Sequence, residues 1–105
     1  MTDRFVSPAA LPTPYEREIA VILLEEAAEV QQRITKLLRF GALETQPGGT
    51  MNNAQRLGFE VGDLLEMIDL CIRSGLIDSE CVADGRKNKR AKLARFLQTA
   101  SEAPR

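Results

Sequence analysis

Between Tyr15 and Phe40 the chain contains neither glycine nor proline, and its apolar residues recur at the three- and four-residue spacing of one helix face. Gly41 is the natural stop for this helix. Residues 42–53 (ALETQPGGTMNN) form a loop, broken by Pro47-Gly48-Gly49. A second helix is expected from about Ala54 to Ser74, with Asn53 as candidate cap and Gly75 ending it. Ser79 is the candidate cap of a third helix, interrupted or kinked near Gly85 and reaching about Ala100. No strand-like alternation and no internal repeat occur. The fold class is all-α: an extended arm over residues 1–14, which hold Pro8, Pro12 and Pro14, a helical domain over 15–100 and a frayed tail over 101–105.

At 105 residues this is one domain, and a chain so short buries only somewhat over ~60% of its unfolded surface. Oligomerisation is the usual way for a thin helical core to cover the remainder. The net charge of −1 gives no steering toward nucleic acid or an anionic membrane. No apolar run approaches the ~18 residues of a membrane span, and the N-terminus lacks the layout of a signal peptide, so a cytoplasmic location is expected. Histidine is absent, which excludes a Ser-His-Asp or Cys-His unit and the Glu-x-x-His pairs of di-iron bundles. Cys71 and Cys81 stand in no metal-ligand spacing and read as reduced structural thiols, so zinc has no ligand set. Any chemistry falls to carboxylates and the ions they hold.

Those carboxylates are sorted. On a wheel of about 100° per residue, Ile19, Ile22, Leu23, Val30, Ile34 and Leu37 share the packing arc of the first helix. Glu26 falls inside that arc, Glu29 at its edge about 60° away, and Glu25 further toward solvent. On the second helix Leu57, Val61, Leu64, Leu65, Ile68, Cys71 and Ile72 form the arc. Glu60 lies at its margin and Asp63 about 60° beyond, whereas Glu66 and Asp69 point to the polar side. Clustering unpaired carboxylates away from water is expensive against a total stability of ~5–15 kcal/mol. Either cations or basic partners such as Arg33 and Lys36 must compensate them. Oxygen-lined cages suit hard divalent ions, which points to Mg2+ and phosphate chemistry.

EEAAE (Glu25 to Glu29) followed by EVGD (Glu60 to Asp63) resembles the EExxE…ExxD signature of the all-α nucleoside triphosphate pyrophosphohydrolases, the MazG-like superfamily. RFGALETQPGG, NNAQRLGFEVGDLL and NKRAKLARF resemble that group's loop, second helix and third motif, so the likeness runs from about Tyr15 to Phe96. It implies an antiparallel helical bundle of the MazG-like type, completed by a homodimer or homotetramer, with the third helix covering the site. It also implies cleavage between the α- and β-phosphates of a nucleoside triphosphate, giving a monophosphate and pyrophosphate. Glu26, Glu29, Glu60 and Asp63 would hold Mg2+, or Mn2+ in its place, and Glu25 would orient the attacking water. Lys92 and Arg95, with Lys89 and Lys36, would meet the phosphates; Asn53 would touch the sugar or base.

Two other readings remain open at this level. The acids could pair with Lys and Arg in a non-catalytic helical interaction module. Alternatively the run RKNKRAK could bind nucleic acid, but it is short, lacks interleaved aromatics and sits in a chain without net positive charge.

Overall fold

The computed structural model describes residues 11–99 and 102, and within them the chain forms three α-helices: α1 (Pro14–Phe40), α2 (Asn53–Arg73) and α3 (Ser79–Phe96). Most of the expected arm and tail lies outside the described residues. α1 starts where Thr13 Oγ1 accepts from the Glu16 N–H at 3.1 Å, while the Glu16 carboxylate accepts from the Thr13 N–H at 2.9 Å. Pro14 then takes the first helical position, where its missing donor costs nothing. The helix ends as expected at Gly41, whose φ of +91° would strain any residue with a Cβ.

Two caps differ from the sequence expectation, each by one residue. Asn52, not Asn53, caps α2: its Oδ1 accepts from the Gln55 N–H at 2.8 Å, and Gln55 returns the bond to the Asn52 N–H at 2.9 Å. Asn53 is drawn inward instead, because its amide closes the hairpin. Nδ2 donates to the Gly41 carbonyl and to Glu44 Oε1, both at 2.9 Å, and the side chain is only 2% exposed. Asp78, not Ser79, caps α3 by accepting from the Cys81 N–H at 2.9 Å. That bond holds the Asp78 carboxyl below its usual range, and Asp78 in turn pushes the exposed Cys81 thiol up. α3 runs through Gly85 without a break and stops at Phe96, where Leu97 turns to an extended backbone.

α1 and α2 form an antiparallel hairpin, and its register is fixed at both ends. Near one end the Cys71 thiol lies 4.0 Å from the Ile19 carbonyl; at the other, Asn53 ties to Gly41. Ile19 and Cys71 are the fully buried apolar residues among those described, while Ile22, Leu23, Val30 and Leu37 on α1 and Leu57, Val61, Leu64, Ile68 and Ile72 on α2 are half-buried. Ile34 and Leu65, assigned to the packing arcs from the wheel, are exposed, whereas Arg33, next to Ile34 in the sequence, is buried. The third helix does not cover the hairpin face: α3 contains no buried residue and packs only marginally on α1 and α2. The radius of gyration is 18.4 Å, against roughly 13 Å for a compact domain of this length.

Because Asn53 joins the loop to both helices, Asn53→Ala should cost roughly 1–3 kcal/mol by stranding the Gly41 carbonyl. Chemical denaturation would measure it, and Asn52→Ala should cost about 1 kcal/mol through lost capping alone.

Candidate metal centre

Helix geometry and hairpin register together decide which acids meet. Glu60 and Asp63, three residues apart, project to one side of α2. The register lays that side against Glu26 of α1, and one carboxylate oxygen from each of the three lies within 4.8 Å of the others. Glu26 and Glu60 are half-buried, and Asp63 is exposed at the mouth of the cluster. Among the described residues this is the one group of three acids or thiols with such a spacing.

The fourth acid of the expected cage, Glu29, is not part of the trio. It is exposed at the rim, as its place at the edge of the packing arc implies. Its charge still reaches the cluster. The Glu26 carboxyl is raised above its usual value first by partial burial, then by Asp63, Glu60, Glu29 and, least, Glu25. Glu25 itself is exposed beside the trio on α1.

Among the described residues no cation lies within ion-pair distance of these acids. The ion pairs among the described residues both belong to Arg73, with Glu66 at 3.7 Å and Asp69 at 3.4 Å, on the polar side of α2. Lys36 is half-buried on α1, two turns beyond Glu29. Lys89, Lys92 and Arg95 are exposed on α3, which nothing in a single chain holds against the acids. The Asn53 amide nitrogen is committed to the loop.

One charged residue lacked a role in the sequence reading beyond a candidate ion pair. Arg33 is only 9% exposed, and its Nε and Nη1 have no hydrogen-bond partner. The signal was available, since position 33 lies seven residues after Glu26 and thus on the same stripe of α1.

Three convergent carboxylates form an all-oxygen donor set of the kind hard divalent ions take, with remaining positions left to water and substrate oxygens. Mg2+ or Mn2+ fits this set, and Glu26, Glu60 and Asp63 could hold it.

The raised Glu26 carboxyl makes the metal-free fold pH-sensitive. Its penalty is absent in acid, where Glu26 is protonated in both states, and sets in as pH climbs through the raised value. Glu26→Gln should therefore raise Tm at neutral pH without divalent metal, with the gain vanishing below the ordinary carboxylate range. Thermal melts across pH would measure it.

No family model, no curated protein and no solved structure matches the chain.

Proposed function

We propose that the protein is a Mg2+-dependent nucleoside triphosphate pyrophosphohydrolase, cleaving the α–β phosphate bond to give a nucleoside monophosphate and pyrophosphate. The observation that carries this reading is the convergence of Glu26, Glu60 and Asp63 at a half-buried seam with no ion-pair partner among the described residues. The resemblance of EEAAE, EVGD and NKRAKLARF to the MazG-like signature supplies the reaction type. Glu26 and Glu60 would hold the ion from within the seam and Asp63 from its mouth, with Glu29 joining from the rim when substrate arrives. A bound Mg2+ would neutralise phosphate charge and favour ionisation of the attacking water. Glu25, adjacent to Glu26 and exposed, would orient that water by accepting its proton.

The reading also involves a homodimer or homotetramer. Leu24, Leu38, Leu43, Phe59 and Leu65 are exposed on or beside the hairpin, and Leu93 and Phe96 on α3. So much unpartnered apolar surface, in a chain whose dimensions are 57 × 39 × 19 Å, supports association in which helices of a second copy complete the bundle. Lys89, Lys92 and Arg95 could then reach phosphates from a neighbouring α3. The same exposed faces would serve a non-catalytic helical interaction module, the alternative. That module predicts indifference to metal.

Added Mg2+ should raise Tm, as any ligand of the folded state must. A screen of normal and modified nucleoside triphosphates should find at least one that releases pyrophosphate. Glu60→Gln and Asp63→Asn should lower that turnover about a hundredfold or more. Absence of both a Tm response and turnover across the panel would refute the enzyme. Sedimentation should give a multiple of the 11.6 kDa chain mass, reduced by Phe59→Glu.

A further inference from the structure

Arg33 poses a separate energetic question. A guanidinium stays charged at every physiological pH, and a buried charge without partners costs several kcal/mol. Yet Nε and Nη1 are shut off from water and bond to nothing among the described residues. Comparable cost in a domain of modest stability persists where a ligand later offsets it.

The hairpin register says where that ligand would sit. With Ile19 against Cys71 and Gly41 against Asn53, Arg33 lies opposite residues 57–61 of α2, the turn that contains Glu60. On its own helix it stands two turns beyond Glu26, roughly 10 Å along the axis. Long helical side chains lean back toward the N-terminus, which narrows the gap toward Glu29 and Glu26. Arg33 therefore stands on the Gly41 side of the trio along α1, and among the described residues no acid is within ion-pair distance of it.

From this placement we infer that Arg33 is the internal anion receptor of the site, taking a phosphate oxygen of a polyphosphate whose other end is held by the metal. The inference rests on the metal reading above. With the carboxylates engaged by an ion, they no longer attract the guanidinium, and phosphate is the anion that arrives with the metal. Arginine suits it, because N–H donors on a planar cation form short, charge-assisted bonds to phosphate. Meeting the anion requires the flexible stem to turn the head out of the seam, so binding and a small side-chain movement are coupled. The polyphosphate is then bracketed, with positive charge at both ends and a negative wall between them.

Calorimetry with inorganic pyrophosphate tests this on the full-length chain, with and without Mg2+, for wild type, Arg33→Met and Arg33→Lys. Mg2+ alone should bind Arg33→Met at least as tightly as wild type, since a neighbouring positive charge is gone. Pyrophosphate affinity of the Mg2+-loaded protein should fall about ten- to a hundredfold in Arg33→Met. Arg33→Lys should recover part of the loss and, if Arg33→Met does not fold, decides alone by a several-fold weakening relative to wild type. Equal pyrophosphate affinity in wild type and the folded variants, or parallel loss of Mg2+ and pyrophosphate affinity, overturns the assignment. Failure of Mg2+ to bind wild type would sink the metal reading instead. Pyrophosphate alone then decides for Arg33, and binding that ignores the substitution, or no binding at all, rejects it.

Discussion

Mutual repulsion among Glu26, Glu60 and Asp63 is the constraint around which the hairpin is organised. Three like charges kept within 4.8 Å would part if the backbone allowed it. It does not, because the two helices are joined on both sides of the cluster: by Asn53 on Gly41 toward the loop, and by Cys71 on Ile19 toward the far end. Part of the cost is visible in the Glu26 carboxyl, which partial burial first and the neighbouring acids second make harder to ionise than an ordinary glutamate. Proteins concentrate perturbed acids of this kind at sites that bind something.

The helices and their order were legible from the sequence because their signals are local. Gly41 and Gly75 stop helices at positive φ, and apolar spacing marks the packing faces. The convergence of Glu26 with Glu60 and Asp63 was also readable, since helical spacing fixes the side of the helix on which each acid stands. Cap assignments slipped by one residue at Asn52 and Asp78. Adjacent Asn-Asn and Asp-Ser pairs both contain cap formers, and only the inward pull on Asn53 separates the first pair.

Burial was less legible. A wheel gives the direction of a side chain but not the depth of the groove it meets. Ile34 and Leu65 therefore lie open although their angles are right, while Arg33 is enclosed. The position of α3 was unreadable for another reason: its amphipathicity is weak, its only large apolar residues are Val82, Leu93 and Phe96, and nothing local says which surface it should join.

α3 has an electrical consequence. It carries six basic side chains against two acidic ones, in a chain whose overall charge is only −1. The hairpin side must hold the compensating negative excess, so the molecule is nearly neutral in sum yet strongly dipolar. Screening over about 10 Å at moderate ionic strength would weaken head-to-tail attraction between such molecules. Their encounters therefore depend on salt as those of far more highly charged proteins do.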